Sequence, residues 1–222
     1  QMSERVQGND LVNNPAAQFA LGTLMSQRAL GSNNLVLMPY ADGLRILSQW
    51  FVQLWAESLG KRFDTQGQEV RTGQTPVPAV GATDQHAQLQ LFVEGPKDKV
   101  VAMIHVKSFE HASPIPDELN GREEVTFLHG RDLRELLEAE RRATRSALLT
   151  SGVGVIDIVV ERLSPEVMGC LFVLFEAACA LAGTAMKIDP FNQPGVEAGK
   201  RMAFGLLGRV GYEADAELVR AR

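Results

Sequence analysis

Three apolar runs constrain this chain most: Leu35-Val36-Leu37-Met38, residues 100–106 and residues 153–160. A strand wet on one face alternates polar with apolar side chains, whereas one covered on both faces reads as a nearly continuous apolar run. These three are largely continuous. Segments of helical spacing lie between them, so the strands are predicted to pair in parallel through crossover helices. The fold class that follows is α/β: a three-layer sandwich, a mostly parallel sheet with helices on both faces.

The helical segments carry their own punctuation. Asn14-Pro15 is a cap and first-turn pair, predicting a helix to about Gly31. From Ala41 to about Leu59, the positions Leu44, Leu47, Trp50, Phe51, Leu54 and Trp55 recur at steps of three and four. Residues 61–74 are polar and glycine-containing, as in an exposed excursion or a hairpin. A short helix is expected from Thr83 or Asp84 to just before Gly95-Pro96, with Thr83 as its cap. Residues 131–150 read as a charged surface helix, where Arg141, Arg142 and Arg145 stand near Glu138 and Glu140 as a solvated face of mixed sign. Ser164-Pro165 opens another helix, and a last one is expected from Pro194 to near Gly208.

Residues 167–186 are almost wholly apolar and long enough to cross a bilayer. Glu176 at the middle and small residues in the second half favour instead a central helix buried on all sides. With 222 residues, 45% hydrophobic and 22% charged, the chain fits one domain with a substantial core. A formal net charge of −5 argues against a nucleic-acid partner, which needs a basic face. Cys170 and Cys179 fall too far apart on one helix to bridge, and no cysteine or histidine spacing suggests zinc. No signal-peptide pattern is visible, and a reducing, cytoplasmic setting is expected.

Polar residues break the core pattern in three places. Gln53 and Glu57, four apart, share a helix face beside the apolar stripe. Glu57 lies near that helix's C-terminus, where the macrodipole disfavours a carboxylate, a setting suited to a general base; a solvent-facing glutamate is the commoner case. In Gly81-Ala82-Thr83-Asp84-Gln85-His86, small residues leave room for a ligand and put His86 in the first turn of a helix. There an imidazole could exchange protons or simply pack locally. His105, His111 and His129 read as structural or surface residues. In Phe191-Asn192-Gln193-Pro194, Gln193 is placed as a cap. Val196, Lys200 and Phe204 then share one face, so Lys200 either snorkels outward or sits in a cleft with a lowered pKa.

Together and in this order, AESLGK, GATDQHAQLQL and FNQPGVEAGK resemble the glucose-6-phosphate isomerase family, over nearly the whole chain from Val36 onward. The resemblance implies that residues 1–222 form the family's C-terminal sugar-isomerase (SIS) domain, without its N-terminal phosphate-binding domain. Glu57 matches the base that shuttles a proton between C2 and C1 of the sugar through a cis-enediol. His86 and Lys200 match the pair that opens the pyranose ring, and Gln53 and Gln193 match residues lining the sugar site. Asn192 stands where many members have Asp. The resemblance further implies a sugar-phosphate substrate, no cofactor or metal, no membrane association, and a homodimer whose histidine reaches the neighbouring subunit's site. Neither the family's Ser/Thr-rich phosphate loop nor its Gly-Gly-Arg motif is present, so the chain alone is expected to show little activity. Two other readings remain: a sugar-phosphate-sensing module without chemistry, and a structural domain that leaves Glu57, His86 and Lys200 unexplained.

Overall fold

Asn14 starts the first long helix as expected: its side chain accepts from the backbone N–H of Ala16 and Ala17, Pro15 occupies the first turn, and Gly31 closes the helix in the left-handed conformation. The structure is a computed structural model describing residues 2–8, 10–116 and 122–221. Its helices are α1 (Met2–Gln7), α2 (Pro15–Leu30), α3 (Arg45–Leu59), α4 (Gln85–Glu94), α5 (Leu133–Thr150), α6 (Pro165–Ala185), α7 (Pro194–Leu206) and α8 (Glu213–Arg220). Its strands are β1 (Asn34–Pro39), β2 (Lys61–Phe63), β3 (Glu69–Thr72), β4 (Thr75–Pro78), β5 (Lys99–Val106) and β6 (Gly154–Val160).

The main sheet has the order β4-β1-β5-β6 and every pair is parallel. The continuous apolar runs have the predicted cause. Leu35 and Leu37 face one core with Val100, Ala102 and Ile104, while Val36 and Met38 face a second core with Val101 and Met103. The first core is closed by α2, α3 and α6, and the second by α4 and α5, giving the three-layer α/β architecture. Phe19 of α2 centres the first layer, edge-on to Phe51 and Trp55 of α3 and to Phe175 of α6 at 5.4–6.1 Å between ring centroids. Each fully buried aromatic or aliphatic side chain of this kind stabilises the fold by about 1.5–3 kcal/mol.

Several elements depart from expectation. Thr75–Pro78 forms an edge strand despite two prolines, because the N–H of Thr75 and that of Ala79 point inward to β1 and the prolines lack a donor only on the outer edge. Residues 61–72 form the antiparallel β2–β3 hairpin, one of the two expected alternatives. The chain adds α1 before and α8 after the predicted helices. Helix α6 is long and apolar enough to cross a membrane, yet only one face, including Leu171, Leu174, Phe175, Ala178 and Ala182, is buried, and Glu176 is exposed. It is a one-sided core helix rather than one buried all round. Arg141 is not solvated: it lies buried on α5 between Glu138 and Asp157.

Candidate active site

The candidate residues lie at opposite ends of the sheet. Helix α3 leaves the carboxyl end of β1 and runs back, so its last turn, with Gln53 one turn before Glu57, reaches the amino ends of the strands. Both side chains are exposed there. Helix α6 makes the same journey from the carboxyl end of β6, delivering the 186–193 segment and α7 to the amino end. The sequence pattern directs attention to the carboxyl ends, where open α/β sheets commonly bind ligands. Only His86 is found there.

At the amino end, Lys61 joins the two segments. Its side chain is buried, and its Nζ donates to the Glu57 carbonyl at 2.7 Å, occupying an orphan acceptor of the last turn of α3. Burial pulls the Lys61 pKa down, opposed by the charges of Asp189, Cys179 and Glu57. Asp189 in turn accepts from the backbone N–H of Phe191 at 2.9 Å and from Asn192 Nδ2 at 2.7 Å, organising the turn ahead of Gln193. The hairpin holds this turn from its other side, Thr65 N–H donating to the Lys187 carbonyl at 2.8 Å.

Gln193 occupies the N-cap position of α7 but makes no capping hydrogen bond, so its side chain is exposed and uncommitted. Lys200 is exposed and its Nζ donates to Glu197 Oε1 at 2.7 Å. That hydrogen bond, then the charge of Glu197, hold the ammonium pKa above its usual value, and the Glu57 carboxylate adds to the effect. Lys200 therefore lies outward as a cation, not in a pKa-lowering cleft. Glu57 lies within electrostatic reach of it. Helix α7 leans on α8 through the Phe204–Tyr212 ring contact at 5.5 Å, Arg209 over both rings, and the Arg201–Asp215 ion pair. Gly205 makes that contact possible, since a Cβ there would sit 2.3 Å from the Tyr212 carbonyl oxygen.

At the carboxyl end, Gly81 lies against the ring of Tyr40, where a Cβ would come within 2.5 Å. The Tyr40 hydroxyl hydrogen-bonds the Gln85 side chain, and burial raises its pKa to about 12. Helix α4 begins at Gln85 without a side-chain cap: Thr83 does not serve, and Asp84 accepts from the Val80 N–H instead. His86 follows, exposed in the first turn. The six residues of β1 span on the order of 20 Å, so His86 and Glu57 cannot meet on one molecule.

Beside this end, Arg141 donates to both carboxylate oxygens of Glu138 at 2.7 and 2.8 Å, and His105 Nε2 lies 3.1 Å from Glu138 Oε2. Burial and then the Arg141 charge depress the His105 pKa, against the pull of Glu138. Arg145 pairs with Asp157 at 2.7 Å. These contacts clamp α5 to β5 and β6. His105 is thus structural, as its sequence setting suggests.

Sequence spacing found Gln53, Glu57, His86, Gln193 and Lys200 but passed over Lys61, Asp189 and Glu197. Lys61 ends the same AESLGK segment as Glu57, and Glu197 stands three residues before Lys200, so both spacings were visible. Asp189 depends on tertiary proximity.

Fold and surface define an α/β protein with Gln53, Glu57, Gln193 and Lys200 exposed at the amino end of the sheet and His86 exposed at the carboxyl end. Residues 9–214 match the family model described as phosphoglucose isomerase. A glucose-6-phosphate isomerase of Carboxydothermus hydrogenoformans is 41% identical over 214 residues, covering 96% of this chain and 46% of the relative. One of Rubrobacter xylanophilus is 44% identical, covering 90% of this chain and 44% of the relative. The crystal structure of a hypothetical protein from Thermus thermophilus superposes with a TM-score of 0.84 at 37% identity, over 93% of this chain and 48% of that one. That of a Chlamydia trachomatis glucose-6-phosphate isomerase, at 22% identity and a TM-score of 0.78 over 94% of this chain and 41% of that one, shares the fold. The chain belongs to the phosphoglucose isomerase family and spans just under half the length of these relatives.

Proposed function

We propose that this chain is the C-terminal SIS domain of an enzyme that interconverts glucose 6-phosphate and fructose 6-phosphate, an aldose–ketose isomerase of glycolysis and gluconeogenesis acting in the cytoplasm. The observation that carries the proposal is the common placement of Glu57 and Lys200, both exposed, at the amino end of the sheet. Glu57 takes a proton from C2 of the open-chain sugar and returns it to C1 through a cis-enediol. Lys200, held protonated by Glu197, and His86 move protons at the C1 hydroxyl and the ring oxygen during ring opening. Gln53 and Gln193 offer amide donors and acceptors to the sugar hydroxyls. The phosphate and the developing oxyanion are held by the N-terminal domain, outside this chain.

In this reading the protein is a homodimer and His86 serves the partner's site, a reading supported by the distance between the two sheet ends. A sugar-phosphate sensor without chemistry would need neither a base nor a proton donor on that end.

A fructose 6-phosphate turnover assay on the full-length enzyme tests the reading. Glu57→Gln and His86→Ala should each lower kcat by about a hundred- to ten-thousand-fold. Mixed in one refolding reaction, the two should regain activity, because a mixed dimer assembles one site with both groups intact. Full turnover by Glu57→Gln removes the proposed base, and a mixture no better than its parents removes the shared site.

A further inference from the structure

Helix α3 ends without the left-handed closure that would satisfy its last carbonyls, since Gly60 takes an extended conformation and returns its N–H to Ala56 alone. The Glu57 carbonyl, next in line, is taken by a side chain, Lys61 Nζ, at 2.7 Å. The Glu57 carboxylate itself makes no hydrogen bond or ion pair among the described residues. Its position therefore follows that of the last turn of α3.

Lys61 is in turn held by the elements around it. Its backbone pairs with Thr72 in the hairpin, and the Thr72 hydroxyl reaches Met186 Sδ at 3.1 Å. On α3, Trp55 and Leu59, two residues to either side of Glu57, are sunk in the core, and Cys179 of α6 lies 3.8 Å from the Leu54 carbonyl. Lys61 is only 6% exposed. Burial disfavours an ammonium and lowers its pKa, although the charge of Asp189 opposes the shift. A methionine would fill the same space without that penalty. What the lysine adds is the hydrogen bond to Glu57.

We infer that Lys61 is a positioning residue for the isomerisation: by gripping the Glu57 carbonyl it fixes the turn from which the carboxylate reaches both C2 and C1 of the sugar. This role rests on the proposed function of Glu57 and adds to it. The ammonium, buried and bonded to the carbonyl, acts through Glu57 rather than on the sugar. A misplacement of about 1 Å is enough to lower a rate about a hundredfold, so losing the grip should strike the proton transfer between C2 and C1. Ring opening, assigned to His86 and Lys200, does not pass through Glu57 and should survive.

The full-length enzyme carrying Lys61→Met tests this role through two rates measured on the same molecules. Conversion of glucose 6-phosphate to fructose 6-phosphate should fall by about ten- to a hundredfold in kcat, with KM within about twofold. Interconversion of the α and β anomers of glucose 6-phosphate, followed by exchange NMR above its uncatalysed rate, needs only ring opening and should hold within about twofold. Both rates scale with the folded fraction, so partial unfolding leaves their ratio unchanged. A parallel fall of the two makes Lys61 merely structural and overturns the inference, as does unchanged isomerisation or a loss carried by KM. If Lys61→Met does not fold, Lys61→Gln, one bond shorter and uncharged, is read by the same ratio. Glu57→Gln, run alongside, separates this role from the function itself. Full turnover there removes the proposed base, whereas turnover lost there but kept in Lys61→Met overturns the positioning alone.

Discussion

The two ends of the sheet make opposite use of charge. At the carboxyl end, Arg141, Glu138 and His105 are drawn under α5 and spend their hydrogen bonds on one another, fastening helix to sheet. At the amino end, Glu57, Gln193 and Lys200 stand exposed, Glu57 on α3, Gln193 at the start of α7 and Lys200 along it. Buried side chains fix their anchorage: Lys61 under Glu57, and Pro190 ahead of α7, packed where Gly183 leaves room for its ring. The charges at the carboxyl end are enclosed and hold helix to sheet, whereas those at the amino end are exposed.

The largest effect should come from breaking the enclosed end. Arg141→Leu takes from Glu138 its buried cation, while Asp157 keeps Arg145, and should cost about 3 kcal/mol in urea unfolding. Lys200→Met should leave the unfolding midpoint in place while abolishing turnover of the full-length enzyme. Equal destabilisation by the two would erase the contrast between the ends.

Gly205→Val comes next. A side chain driven into the Tyr212 carbonyl and Ala216 should separate α8 from α7 at about 1–3 kcal/mol, seen as protease cleavage near residue 208 while β5 amides stay protected.

The pH dependence is smaller. His105 has a folded pKa below its ordinary 6.5, so the unfolded chain binds more protons in the interval between the two values. Stability should fall as pH drops through 6.5 toward that lower value, and His105→Gln should flatten the slope. A slope of opposite sign would mean that Glu138 outweighs burial and Arg141.

Smallest of all is Glu197→Gln. Without its partner the Lys200 ammonium should titrate at lower pH, moving the alkaline limb of kcat in the full-length enzyme downward.

How much of this was legible in the sequence follows from which forces act locally. The strands at Leu35, Val100 and Val155 were readable because two-sided burial leaves an unbroken apolar run. The start of α2 was readable from Asn14-Pro15 alone. The edge strand at Pro76 and Pro78 was not, since proline argues against a strand until an outer edge is known to exist. Arg141 looked solvated because a list of charges in order carries no record of Asp157, which arrives from another strand. The candidate residues themselves were visible as three motifs. Their distribution over two sheet ends was not, because it depends on the direction in which α3 and α6 cross the sheet. Gln193 was read as a cap from position, and the helix starts without one.

The two tryptophans sit in unlike surroundings only five positions apart. Trp55 is sealed among Phe19 and Phe51, while Trp50 on the same helix is half-covered and meets Phe172 edge-on at 4.6 Å. Their emission therefore divides the molecule optically. The inner indole reports whether the interior is assembled, and the outer one, open to aqueous quenchers, reports what comes to rest beside α3 and α6.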